Sequence, residues 1–298
     1  MVVVHETCLE SDRLTAVLLP LLGDRAEAFV AAGLAAVDGM APSRSWVQCG
    51  VAVDPQHYRS FCARLAEVAR DMLASGAAAN FFFMHKPPGL RVRFETSSAL
   101  ADQIAAALAH PGVTIEPGVY EPEEALFGGP SSMRFVHRVF TADAQAWLAF
   151  HQLATQTPNW AFSLALLRHL FNGLGISGWE DLEVWQRVQR QAFRVLPSGM
   201  EGDRTAKVTS AIRAAWADPQ ELRASLPPEA AALAAAAGEQ LADLGGQWLQ
   251  GYFQSHTTVI GPREAAAFAT IFHWNRGRLS AVTQALIAAA LADRASRP

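Results

Sequence analysis

Cysteine is scarce in this chain: its 298 residues include three, Cys8, Cys49 and Cys62, far apart and without a Cys-x-x-Cys pair. That excludes a disulfide framework and a cysteine zinc site, and a reducing cytoplasmic setting is expected. Charge is sparse as well, at 17%, and the formal net charge is −4. A general nucleic-acid binder needs a surplus of Lys and Arg to neutralise phosphates, so any anion site here must be local. No apolar run reaches the roughly 18 residues needed to span a bilayer, and the opening MVVVHETCLESDR has neither a basic start nor a long apolar core. Neither membrane insertion nor export is expected. The nine histidines form no His-Glu-x-x-His or His-x-His pattern, which argues against a metal site. The glycine-rich phosphate loop ending in Gly-Lys-Ser/Thr is missing too, so ATP use has no support.

What the chain does have is apolar bulk. Hydrophobic residues make up 51% and alanine is abundant, the composition of a helix-rich globule with a sizeable core. Leu14 to Met40 reads as helix broken at Gly23-Asp24, followed by an APSRS linker. This gives a helical N-terminal extension over 1–44 and one enzyme-sized domain over 45–298. SWVQCGVAV reads as a strand, and Asp54-Pro55 as the N-cap and first position of a helix running from Tyr58 to Ser75. Asn80–Met84 and Leu90–Phe94 form a hairpin through HKPPG; a helix from Ser98 to Ala109 and a short strand, VTIEPGVY, follow. The order β-α-β-β-α-β predicts a split antiparallel α+β layer. Beyond Ser131 the spacing predicts helices over 131–154, 158–173, 178–194, 203–217, 228–254 and 262–293, the last broken near Arg276-Gly277. The expected fold class is α+β, with an antiparallel sheet flanked by helices first and a mainly helical part after it.

Three segments carry chemistry. In FFFMHKPPGLRVRF, period-two alternation puts Arg91 and Arg93 on one strand face, with His85 and Lys86 at the turn. Guanidinium donors suit planar oxygen acceptors such as carboxylates or peptide carbonyls, although a solvated strand face would read the same way. YEPEEALFGGP brings Tyr120, Glu121, Glu123 and Glu124 to a Gly-Gly turn, where a phenol and a carboxylate could move protons or simply decorate an acidic loop. Near the C-terminus, YFQSHTTVIG clusters Tyr252, Ser255 and His256, and IFHWNRGR supplies His273, Asn275 and Arg276. On a helix Tyr252 would share a face with Ser255 or His256, an arrangement suited to acid–base work or to capping a helix end. Trp160, Trp179, Trp185, Trp216 and Trp248 fall at helical positions and are expected mostly in the core.

FFFMHKPPGLRVRF, then GVYEPEEALFGGPSSM, then FHWNR with a trailing helix, in that order and spacing, resemble the lantibiotic dehydratase C-terminal family, which includes stand-alone thiopeptide-type bacteriocin biosynthesis proteins. The resemblance spans roughly 45–294 and implies an elimination-domain-like fold, no cofactor, and a leader-bearing dehydrated precursor peptide as partner, alongside other enzymes maturing that peptide. One branch of the family eliminates glutamate from glutamylated Ser or Thr; another, the pyridine synthases, joins two dehydroalanines and expels the leader. Elimination relies on an arginine pair, a third arginine in the Tyr-Glu-Pro-Glu segment, and a histidine four positions before Asn-Arg. Here the pair stands as Arg91 and Arg93, but Leu126 and Ile271 occupy the other two places. The resemblance therefore favours the cyclising branch, with Tyr252, Ser255, His256 and His273 as catalytic candidates and Arg91, Arg93, Tyr120, Glu121 and Lys86 as substrate-binding ones. Glutamate elimination and a non-catalytic peptide-binding subunit are the alternatives.

Overall fold

Gly23 divides the first apolar stretch, with φ +55°, a left-handed value that only glycine adopts without strain. Helix α1 (Thr7–Leu22) precedes it and α2 (Ala26–Met40) follows a 3-10 turn at Gly23–Arg25. The computed structural model describes residues 7–40, 44–86, 89–154, 157–191, 194–200, 202–255 and 258–293. Its packing divides the chain into Met1–Ser45 and Trp46–Pro298.

The second unit begins with the expected alternation of strands and helices: β1 (Ser45–Val53), α3 (Tyr58–Ala74), β2 (Ala78–Lys86), β3 (Gly89–Thr96), α4 (Ala101–Ala107) and β4 (Val113–Gly118). The strands lie in the order β2-β3-β1-β4, and both outer pairs run antiparallel. Pro87-Pro88 lies outside the described residues, while Lys86 pairs with Gly89 on either side of it. Gly89 has a packing reason to be glycine: a Cβ there would stand 2.1 Å from the Val51 carbonyl oxygen and push β3 away from β1. Asp54 occupies the N-cap position before Pro55, yet its side chain makes no capping bond. The helix expected from Ser98 opens as a 3-10 turn capped by Ser97 and becomes α-helical at Ala101.

Beyond the sheet the chain is helical: α5 (Glu124–Phe127), α6 (Pro130–Gln152), α7 (Asn159–Gly173), α8 (Glu180–Gln191), α9 (Asp203–Ala217), α10 (Pro219–Ala224), α11 (Pro228–Trp248), α12 (Pro262–Arg276) and α13 (Ala281–Leu291). The fold is α+β as expected. The expected 178–194 helix starts at Glu180, and the 228–254 helix changes to a π-helical turn at Leu249–Phe253. Trp147, Trp185, Trp248 and Trp274 are fully buried, whereas Trp179 is exposed, the exception among tryptophans expected mostly in the core. Each buried aromatic contributes about 1.5–3 kcal/mol of transfer free energy.

Helix α12 ends where its sequence breaks, and the end is held from outside. The Asn275 carbonyl meets His85 Nδ1 of β2 at 2.9 Å, that of Arg276 meets His151 Nε2 of α6 at 2.9 Å, and that of Gly277 accepts from Asn159 Nδ2 of α7 at 3.2 Å. The last carbonyls of a helix lack intrahelical partners, and here three side chains from three elements supply them. Burial lowers both imidazoles, His85 to about 3 and His151 to about 4, so both are neutral donors near pH 7.

Candidate functional site

Strand alternation builds the site. Trp46 and Gln48 on β1, Phe82 and Met84 on β2, and Arg91 and Arg93 on β3 are spaced by two, and Phe82 pairs with Arg93, Met84 with Arg91. The two arginines therefore share a face, but they are not equivalent. Arg93 is buried, at 4% exposure. Its Nε donates to Gln48 Oε1 at 2.7 Å, and its guanidinium carbon sits 4.3 Å from the Tyr120 ring centroid and 5.0 Å from that of Phe82. Arg91 is half-buried beside it and makes no hydrogen bond or ion pair among the described residues.

Gln48 is fixed in turn by donating from Nε2 to the Val119 carbonyl at 2.9 Å, and a Cβ on Gly118 would come within 2.6 Å of that nitrogen. The end of β4 thus carries glycine so that the Gln48 amide can reach the backbone. Tyr120 follows directly. Its hydroxyl lies 3.0 Å from His137 Nε2 on α6 and 3.4 Å from Glu123 Oε2, and Trp46 packs edge-on against the Tyr120 ring. With Nε2 protonated, His137 donates to Tyr120 and Tyr120 to Glu123; with Nε2 bare, Tyr120 donates to His137.

The electrostatics follow from burial. Burial pushes the Tyr120 phenol well above its usual value, and the neighbouring Glu123 adds to this, so Tyr120 stays protonated. Burial, then the charge of Arg93, lowers His137 to about 4. Burial also lowers Arg93, opposed by Glu123 and Tyr120. A cation, a neutral phenol, a neutral imidazole and a carboxylate thus meet on one sheet face, a set able to hold a carbonyl oxygen and pass a proton.

The other expected residues lie apart from this set. Glu121 and Lys86 are exposed. The carboxylate against Tyr120 is instead Glu123, the residue just before α5. Tyr252 is buried in the π-helical turn; its hydroxyl donates to the Gly128 carbonyl at 2.9 Å and accepts from Val259 N–H at 3.2 Å. Ser255 donates to the Tyr252 carbonyl at 2.7 Å, and His256 lies outside the described residues. His273 is buried in a network of its own: Nδ1 faces Asp143 Oδ1 at 2.7 Å, Nε2 faces Ser163 Oγ at 3.0 Å, and Arg276 Nε donates to Asp143 Oδ2 at 2.5 Å. Burial alone would raise the Asp143 carboxyl, but His273 and Arg276 hold it below the usual range. Arg276 Nη1 is buried without a partner, beside a cavity of about 10 Å³, the size of one water.

Gln48 and His137 were not singled out from the sequence. His137 could have been: it sits on the buried α6 face with Met133, Val136 and Phe140, at offsets of one, three and four residues, a polar group on an apolar stripe. Among the described residues, no group of three or more His, Cys, Asp or Glu side chains could hold a metal ion, and no helix is long and apolar enough to cross a membrane.

Comparison with solved structures places this architecture. The chain is similar to the tRNA-dependent lantibiotic dehydratase MibB from Microbispora sp. 107891, with a TM-score of 0.60 and 18% identity over 85% of this chain. It covers 28% of that larger protein, and the likeness is one of fold. A comparison with curated proteins finds no match. The family described as lantibiotic biosynthesis dehydratase C-term matches residues 46–295, nearly the whole of the second unit. The protein belongs to that lantibiotic dehydratase C-terminal family.

Proposed function

We propose that this chain matures a ribosomally made peptide as a pyridine synthase, closing a six-membered nitrogen heterocycle from two dehydroalanines and releasing the leader. The observation that carries this reading is at Leu126 and Ile271. Both are half-buried apolar residues packed against the core, at the positions where eliminating relatives need an arginine and a histidine. A leucine cannot grip a glutamyl carboxylate, and an isoleucine cannot take a proton.

In this reading the amide preceding one dehydroalanine tautomerises to an iminol-like diene and adds across the second alkene. Water and the leader amide then leave as the ring aromatises. Arg91, with no partner among the described residues, holds a peptide carbonyl, and Arg93 behind it adds positive potential. The Tyr120, His137 and Glu123 set relays protons, and Ser255 and His256 remain further candidates for that task. Tyr252 and His273 are assigned to holding the fold, since each already has buried partners. Bringing two alkenes of a flexible peptide together is worth up to about 7–11 kcal/mol in ideal cases.

Glutamate elimination is favoured by one observation: the charge of Arg276 is felt at Arg93, and the His137 imidazole stands close by. Against it, Arg276 is engaged by Asp143 and His137 by Tyr120. Mass spectrometry after incubation with full-length peptides separates the readings. A peptide with two dehydroalanines should lose a leader carboxamide and water. Loss of glutamate from a glutamylated peptide would instead establish elimination, and binding without any mass change a non-catalytic subunit.

A further inference from the structure

A second concave site lies far along the chain from the sheet residues, among α7, α10 and α11. Glycine shapes it. His169 of α7 rests on Gly238 of α11, where a Cβ would meet the imidazole at 2.4 Å, and Gly173 rests on Ala242, where a Cβ would meet the carbonyl oxygen at 2.1 Å. Both contacts advance by four residues on each helix, so α7 and α11 run in the same direction at close range. On the N-terminal side of these contacts, α10 flanks the pair and leaves a groove of about 200 Å³. Leu222, Leu226 and Ala234 give it an apolar wall, and every ionisable side chain in that wall is a base: Arg168, His169 and Arg223.

Arg168 is the unusual member. Its guanidinium carbon lies 4.8 Å from the Trp216 ring centroid, while Nε and Nη2 are buried with no hydrogen-bond partner. Those two nitrogens are closed off by the fold, which leaves Nη1 as the guanidinium nitrogen that an occupant of the groove can reach. Leaving charged donors buried and unpaired is costly. Asp181 and Asp218 act on Arg168 through their charge, and Glu239 does so on His169, but none of these carboxylates lines the groove. Burial lowers Arg168, consistent with a cation only partly compensated from within the fold.

We propose that this groove binds an acidic side chain of a peptide segment, its carboxylate at Nη1 of Arg168 between His169 and Arg223 and its aliphatic neighbours against Leu222 and Leu226. A volume near 200 Å³ is below the size of a typical small-molecule pocket and suits one or two side chains. The site is separate from the cyclisation reading and stands whichever reaction the sheet residues perform.

Trp216 supplies the reporter. The full chain is labelled with 5-fluorotryptophan, and the Trp216 fluorine resonance is assigned with Trp216→Phe. The probes are acetyl-Leu-Glu-Leu-amide, acetyl-Leu-Gln-Leu-amide and 3-methylbutanoate. The glutamyl peptide should shift the Trp216 signal saturably, and the glutaminyl peptide should bind about tenfold more weakly, the cost of losing a charge-assisted pair. Arg168→Gln should erase that difference. Because Arg168→Gln disturbs the Trp216 contact, Ala235→Phe, which fills the groove from an exposed position, is the second variant and should abolish the shift. Equal binding of the two peptides, or no saturable shift, overturns the proposal. Binding of 3-methylbutanoate as tight as that of the glutamyl peptide overturns its assignment to a peptide.

Discussion

The Arg93 guanidinium carbon lies 4.3 Å from the Tyr120 ring centroid, with Nε held by Gln48 at 2.7 Å. This cation is packed and hydrogen-bonded, so its removal tests fold and reactivity together. Arg93→Ala leaves Gln48 Oε1 without its donor and should cost about 1–3 kcal/mol in urea unfolding. Arg93→Lys keeps the charge but lacks the fork. It should recover part of that stability and still turn over a dehydrated precursor peptide about tenfold more slowly.

Arg91 has no hydrogen-bond or ion-pair partner among the described residues, so Arg91→Ala should leave the urea midpoint nearly unchanged while weakening peptide turnover. A variant with full turnover would remove Arg91 from the site; one that unfolds early would show that it supports the sheet.

Gly128 and Tyr252 form a second lock. Gly128 has φ +89°, and a Cβ there would stand 2.0 Å from the Tyr252 hydroxyl oxygen. Gly128→Ala combines backbone strain with a clash and should destabilise by more than Tyr252→Phe, which loses hydrogen bonds worth about 1–3 kcal/mol. If Tyr252→Phe leaves thermal stability intact and abolishes turnover, Tyr252 is catalytic and its assignment to the fold is wrong.

Asp143 serves His273 and Arg276 at once. Asp143→Asn should cost about 3–5 kcal/mol, because it leaves a buried guanidinium without its counter-charge. The double variant Asp143→Leu with Arg276→Met should be more stable than Asp143→Asn, as measured by urea titration.

The acid limb of stability has a defined sign. His137 and His151 are lowered to about 4 and His85 to about 3, all below the ordinary value near 6.5. Between those values the unfolded chain binds protons that the folded chain refuses. Their contribution is therefore complete above pH 6.5 and is lost as the pH falls toward 4. Urea midpoints should decline over this range, and His137→Gln should flatten the decline.

The sheet and most helices were legible because burial imposes a period on the sequence. Ser45–Val53 and the Arg91–Phe94 alternation each have one answer, and Gly23, Gly277 and the Asp54-Pro55 pair punctuate the chain at real boundaries. Helix α10 was missed because its six residues are too few to display a period. The site was half legible. Arg91, Arg93 and Tyr120, which the structure brings together in the candidate site, stand out in the sequence by type and position. Gln48 did not, since a neutral amide in a strand gains meaning only when Arg93 is seen across the sheet. From sequence Glu121 is preferred to Glu123, but which carboxylate meets Tyr120 is set by the irregular backbone before α5, and it is Glu123. That Tyr252 and His273 are buried and fully partnered was not legible either, since burial and partners depend on how distant helices pack.

The grip on the end of α12 has a consequence for how such a protein can diverge. With Asn275, Arg276 and Gly277 each tethered by its carbonyl to a different neighbouring element, the helix cannot slide or rotate without releasing all three. The rail is fixed while its side chains are replaceable. Position 271 can therefore carry a different side chain while the end of the helix stays where it is.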